Sequence, residues 1–279
     1  MSELAQKIKN DILEAIENDS IVLPTLPEVA LNVREITEDE DSGISDLIDV
    51  INKDTALSAR ILKVSNSPLF RGANEINNLN MAVSRLGMQY TSSLATGLAM
   101  EQMFQATSEM IDIRMRETWK RSTEVAGMCS VLARKEGHLN PGQATLAGLI
   151  YSIGSLPVLK YVEDHDIQIN SVMLDNLLDE LQPIVGDKIL EKWAFPGELR
   201  HIPVECVNFS RTVDKADYSD LVMVSMLQSY LGTDHPYLDM DWTTISAFER
   251  LGIDPNFGDA EDEDLDAEMA AAMALLSAG

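Results

Sequence analysis

Residues 143–153, QATLAGLIYSI, are apolar on almost every side of a helical wheel. A helix without a polar stripe has to be wrapped by other elements, and the rest of the sequence supplies helices for that role. Apolar residues recur three and four apart at Val29, Val33 and Ile36, at Leu57 and Ile61, and along Ile111, Met115, Trp119, Ser122, Ala126, Cys129 and Ala133. No alternation of period two is long enough to mark a strand. Leu, Ala, Met and Glu dominate over β-branched and aromatic residues, and only 5% of the chain is aromatic. The expected fold class is therefore all-α, a multi-helix bundle of two packed halves. The boundaries read as an N-terminal helix over 1–20, a first helical half over 21–108, a second over 109–255, and a tail over 256–279.

Helices are predicted at 44–52, 55–65, 79–86, 110–136, 143–153, 155–162, 170–181, 183–193, 197–208, 218–231 and 242–251. Their ends carry physical signals. Asp54 can accept hydrogen bonds from the free amides of the helix it precedes. Asn66-Ser67-Pro68 stops that helix, and Gly87 follows the next in a position suited to a left-handed residue. The segment QYTSSLATGLAMEQMF is rich in small residues and is expected deep in the bundle. In the tail, Asp259 to Glu268 hold seven acidic residues and no basic one, which reads as a solvated linker. Leu265, Met269, Met273 and Leu276 beyond it fall at near-helical spacing, although a frayed Ala-rich end accounts for them too.

Charge and cysteines narrow the function. A net charge of −25 repels phosphate backbones and anionic lipid unless a basic patch intervenes. The densest basic stretch, Arg114, Arg116, Lys120, Arg121, Arg134 and Lys135, is interleaved with Glu117, Glu124 and Glu136, a solvated helix face. Neither nucleic acid nor membrane is expected as a partner. Leu4, Ile8, Ile12 and Ile16 form one amphipathic stripe rather than an export signal, and no window approaches about 20 uninterrupted apolar residues. Cys129 and Cys206 lie far apart without a CxxC partner. A soluble, cytoplasmic protein is expected.

Residues 22–104 carry a longer pattern: VLPTLPEVALNV, then INKDTALSARILKVSNSPLF, then EINNLNMAVSRLGMQY. It resembles the HDOD family, with paired prolines (Pro24, Pro27), an Asp before a Leu-Ser-Ala-Arg helix ending in Asn-Ser (Asp54, Leu57, Arg60, Asn66, Ser67), and an Ala-x-x-x-Leu-Gly helix (Ala82, Leu86, Gly87). The likeness continues more loosely through residues 119–122 and 147–154 and through Trp193-Ala194-Phe195-Pro196, and fades beyond about residue 231. It implies an all-α fold related to the HD phosphohydrolases and a role as an output or adaptor module in bacterial signalling.

An HD hydrolase needs a His on one helix, a His-Asp doublet on a buried helix and a further Asp, because such ligands hold the dications that activate water. Here Arg121 stands at the first position and Tyr151 and Ser152 at the doublet. After Asp220 the helix that should supply the last ligand has no carboxylate. His138, His165, His201 and His235 are scattered. Asp164, His165 and Asp166 form a polar run, VEDHDIQ, that reads as a solvated charge cluster. No GxSxG elbow, phosphate loop or dinucleotide motif is present. Asp54 and Asn66 are explained by capping and turn-locking, Trp193 and Phe195 by a helix-end aromatic cluster, and the methionines by core packing. The expectation is a regulatory module without catalytic residues, metal or cofactor, acting on signalling proteins, with a homodimer left open. Two alternatives stand beside it. One is a divergent metal-dependent phosphohydrolase using Asp164, His165 and Asp166. The other is a nucleotide sensor with its ligand between the helical halves.

Overall fold

The computed structural model describes residues 3–18, 23–67, 69, 70, 72, 74–255, 268 and 271. Regular structure among them is entirely helical. The order is α1 (Glu3–Glu17), α2 (Glu28–Glu38), α3 (Ile44–Ile51), α4 (Thr55–Ser65), α5 (Leu79–Leu86), α6 (Met88–Ala99), α7 (Glu109–Glu136), α8 (Pro141–Ile150), α9 (Ser155–Asp164), α10 (Ser171–Lys192), α11 (Gly197–Arg200), α12 (Ile202–Glu205), α13 (Tyr218–Ser229) and α14 (Ser246–Leu251). The acidic linker apart from Glu268, and the stripe of Leu265, Met269, Met273 and Leu276, lie outside the described residues.

Helix starts follow short-range chemistry. The Asp54 carboxylate accepts the Leu57 N–H at 3.0 Å. Asn78, Asn140 and Asn170 do the same for Met81, Gly142 and Met173 at 2.8–2.9 Å. Each bond satisfies an amide that the first turn leaves without an intrahelical partner.

Helix α8 lies at the centre, with Ala144, Ala147, Leu149 and Ile150 fully buried. It is flanked by α7 and α6, while α13 packs against α7 and α2 covers α6. The approach is backbone to backbone: a Cβ on Gly148 would lie 2.4 Å from the Ala126 Cα of α7. One apolar core runs from Ile8 and Ile12 of α1 to Phe248 and Leu251 of α14. Pro141–Asp164, comprising α8, a turn and α9, is long and apolar enough by mean composition to span a bilayer, although polar residues interrupt it. Its apolar window is 89% buried inside the fold, so its hydrophobicity is already spent on packing.

Three element boundaries also differ from expectation. α10 is one helix through Pro183 rather than two. Gly186, one turn beyond that proline, packs against Gly154 and Pro203, and this packing outweighs the missing N–H. The helix expected at 197–208 is two single turns broken at His201. Gly87 has φ +84° and ψ 152°, an extended positive-φ conformation open almost only to glycine rather than the left-handed helical one, and it joins α5 directly to α6.

The C-terminus of α10 departs from the usual residue choice. Phe195 N–H bonds to Leu190 O and Ala194 N–H to Glu191 O, both at 2.9 Å, the paired pattern that normally places glycine where Ala194 stands. Ala194 has φ +52°, strained for a residue with a Cβ. Ala194→Gly should therefore stabilise the chain by about 0.5–1 kcal/mol in urea unfolding, part of the relief being offset by the looser unfolded chain. A lowered midpoint would contradict this.

Candidate functional site

Arg121, Tyr151 and Ser152, the residues that the family resemblance sets at HD-type ligand positions, lie where α7, the turn after α8 and the end of α13 meet. Residues 151–154 form that turn. Gln182 of α10 donates to Tyr151 O at 2.7 Å, and Ser155 Oγ donates to Ser152 O at 2.7 Å. Only glycine fits at 154, since a Cβ there would stand 2.0 Å from Gln182 O and 2.4 Å from Gly186 N. The clamped turn sets Ser152 Oγ 2.6 Å from Ser122 Oγ of α7. On the same stretch of α7, Arg121 Nη1 donates to Ser229 O at 2.7 Å, at the carbonyl end of α13, where a cation is favoured. Its guanidinium lies 4.1 Å over the Tyr230 ring. His235 stacks on the same tyrosine at 3.7 Å.

The chemistry of this set follows from its groups. Tyr151 is buried, and burial pushes its phenol well above the ordinary range, with Tyr230 adding to the shift. Burial also pushes Tyr230 up to about 12. Both stay protonated and neutral at physiological pH. A guanidinium that repels dications, two protonated phenols and two hydroxyls bonded to each other do not fit a metal centre, which needs imidazole and carboxylate donors. Among the described residues no three His, Cys, Asp or Glu side chains group as metal ligands.

The remaining carboxylates and imidazoles are engaged elsewhere. Asp220, fully buried, accepts from Arg211 Nη1 at 2.6 Å and from Arg250 Nε and Nη2 at 2.8 and 2.7 Å. Arg211 also holds Asp217 at 2.7 Å and Glu205 at 3.0 Å. His138 Nε2 lies 3.0 Å from Ala216 O, and His201 pairs with Asp187 at 2.7 Å. The run Asp164-His165-Asp166 is exposed at the end of α9. There Asp164 pairs with Lys160 at 2.8 Å and His165 stacks on Tyr161. Its neighbour Glu163 reaches across to the start of α7 and accepts from Ser108 N–H at 2.7 Å and Thr107 N–H at 2.8 Å.

The residues of the family-like pattern gather in two other places. Asn66 closes the α4–α5 loop by bonding both Ile76 N and Ile76 O at 2.7 Å. Leu57 and Ser67 are buried nearby in sequence, Leu86 is half-buried, and Arg60 forms an ion pair with Glu101. At the second place Trp193 Nε1 donates to Pro24 O at 3.0 Å, Pro27 precedes α2 and Pro196 precedes α11. Arg34 of α2 seals this seam by donating to Trp193 O at 2.6 Å and Ala194 O at 3.1 Å. Sequence spacing does not reveal the roles of Arg34 and Arg250, whose acceptors lie 159 and 30 residues away, whereas Arg211 finds its carboxylates within nine residues.

Two outcomes follow. Asp220→Ala should cost about 3–5 kcal/mol in chemical unfolding, since it leaves buried guanidinium charge uncompensated; a loss below about 1 kcal/mol would contradict the network. The Glu163 carboxyl is held down to about 2, first by the Ser108 N–H, so its stabilisation is present above the ordinary carboxylate pKa near 4.5 and fades as pH falls towards 2. Glu163→Gln should flatten that part of the stability–pH curve and leave the neutral range unchanged in slope.

Known proteins can now be set beside this geometry. The family model that matches is the HDOD domain, over residues 23–206. A crystal structure from Shewanella amazonensis SB2B, described as a "Putative metal-dependent phosphohydrolase", is similar with a TM-score of 0.87 at 29% identity, covering 99% of this chain and 100% of that one. A "Putative signal transduction protein" from Marinobacter aquaeolei VT8 shares the fold with a TM-score of 0.63 at 20% identity, covering 98% of this chain and 65% of that one. An uncharacterized protein of Treponema pallidum (strain Nichols) is 21% identical over 247 residues, 81% of this chain and 46% of that protein. The chain thus spans about half the length of this curated relative. With a match that runs from the Pro24 seam through α10 to Cys206, the chain belongs to the HDOD family and has its all-α, HD-like fold.

Proposed function

We propose that this chain is a non-catalytic regulatory module of bacterial signalling that works by contact with other proteins in the cytoplasm. The observation that carries the reading is the Arg121–Ser229 bond with its Tyr230 stack, beside the Ser122–Ser152 hydroxyl pair. Where a hydrolase would gather lone pairs around a dication, this chain puts a cation and hydroxyls already bonded to each other. The name of the Marinobacter structure is in keeping with a signalling role, and the buried, unpaired Cys129 and Cys206 suit a reducing compartment.

The name of the Shewanella structure supplies the competing reading, metal-dependent phosphate ester hydrolysis. The donor set argues against carrying it over. The sensor reading finds no support in charge, because the chain as a whole is strongly anionic. Hydrolysis of nucleotides and of a generic phosphomonoester, followed with Mg²⁺, Mn²⁺ or Zn²⁺, should remain at the buffer rate. Turnover that stops on chelation and is lost in Arg121→Ala would overturn the proposal.

A further inference from the structure

The described residues include nine large apolar side chains exposed to solvent, and four of them belong to α7, which carries Arg121, to α10, and to the residue after Tyr230. They are Met110 (47% exposed), Ile113 (50%), Val172 (68%) and Leu231 (50%). Helical periodicity aligns Met110, Arg114, Glu117 and Arg121 along the outer stripe of α7, with Ile113 at its edge. The same periodicity aligns Val172, Asp175 and Asp179 on α10. Arg114 joins the stripes, with Nη2 2.9 Å from Asp175 Oδ1 and Nη1 3.3 Å from Glu117 Oε2. The far end is closed by His235, stacked on Tyr230 with Nε2 3.8 Å from Asp179 Oδ1, and Leu231 follows that tyrosine. The two stripes and the Arg114 bridge together make one strip, the trough, with exposed apolar residues towards its ends and a polar middle, the floor.

The charge of that floor selects the occupant. Arg114 is committed to two carboxylates and Arg121 to a carbonyl and a ring, so neither cation is left to attract an anion. The two carboxylates are Glu117 and Asp175, and Asp179 and the exposed Asp234 add negative charge that these two guanidiniums do not match, in a chain of net charge −25. From Met110 to Arg121 the α7 stripe runs about 17 Å, the length of three helical turns. We infer that this trough is the docking surface for a basic amphipathic helix of a partner protein, its apolar edge on Met110, Ile113 and Val172 and its Lys or Arg residues over Glu117 and Asp179. Apolar anchors in a groove, steered by opposite charge, are the usual means of holding a helix. The inference rests on the protein-contact reading above and names the partner's chemistry.

The test uses the full chain and three labelled peptides of about 14 residues, read by fluorescence anisotropy at physiological salt. One is an amphipathic Leu/Lys helix, one its Leu/Glu counterpart, and one a Leu/Lys scramble of equal charge without an apolar stripe. The first should bind, and the other two should bind at least about tenfold more weakly. Met110→Ser with Ile113→Ser should weaken the first by about tenfold or more, as should Glu117→Lys, which reverses an exposed charge and leaves Arg114 its Asp175 partner. Leu31→Ser with Ile44→Ser, exposed apolar residues on α2 and α3, should change nothing. Equal binding of the scramble, no loss in either trough variant, or equal loss in the α2/α3 control would overturn the proposal. So would a dimer, seen by light scattering, that the Met110/Ile113 substitutions dissolve, since the occupant would then be a second copy. Failure here without metal-dependent turnover removes the trough and leaves the protein-contact reading standing; such turnover would remove that reading itself.

Discussion

The contact on which the rest of the structure depends is the glycine-mediated approach of α8 to its neighbours. With no side chain at Gly148, the α8 backbone comes against Ala126 of α7, and on its other side Gly97 of α6 leaves room for Leu149. A helix so enclosed buries its full circumference, which is why residues 144–150 are apolar but for Thr145, whose hydroxyl is satisfied by the Pro141 carbonyl. The same closeness fixes where the end of α8 meets α7, and so brings Ser152 to Ser122 and Tyr151 under the α13 terminus. Packing and site are one constraint.

Around that centre the polar groups are arranged to satisfy each other rather than to present open valences. The carbonyl end of α13 receives the Arg121 guanidinium, the start of α13 is tied down by Asp220 between Arg211 and Arg250, and the start of α7 receives Glu163. Each is a helix terminus or buried charge whose free groups would otherwise cost about 1–3 kcal/mol or more. In a metal hydrolase some of these groups would be kept available for ligation. In this chain they hold helices together.

Local chemistry explains which features could be read from the sequence. Asp54 lies three residues before an amide it can reach, and the 3.6-residue repeat of α7 needs no partner to be visible, so both were evident from residue types and spacing. The family-like pattern around Arg121, Tyr151 and Ser152 drew attention to those residues as well. What those residues do was not legible, because Arg121 finds its acceptor 108 residues away at Ser229. The same holds for Asp220 and Arg250, and for the seam that Arg34 makes with Trp193 across 159 residues. The continuity of α10 through Pro183 was missed for a related reason: the local rule against an interior proline is outweighed by packing at Gly186, whose partners come from distant segments.

The central proposal is that Arg121, Tyr151 and Ser152 form a set of groups that cannot coordinate a dication. Native mass spectrometry of the purified chain, incubated with Mn²⁺ or Zn²⁺ and freed of excess, tests it most directly. The account predicts the mass of the metal-free chain and an unaltered spectrum for Ser152→Ala. A stoichiometric adduct that persists in the parent chain and disappears in Ser152→Ala would contradict it.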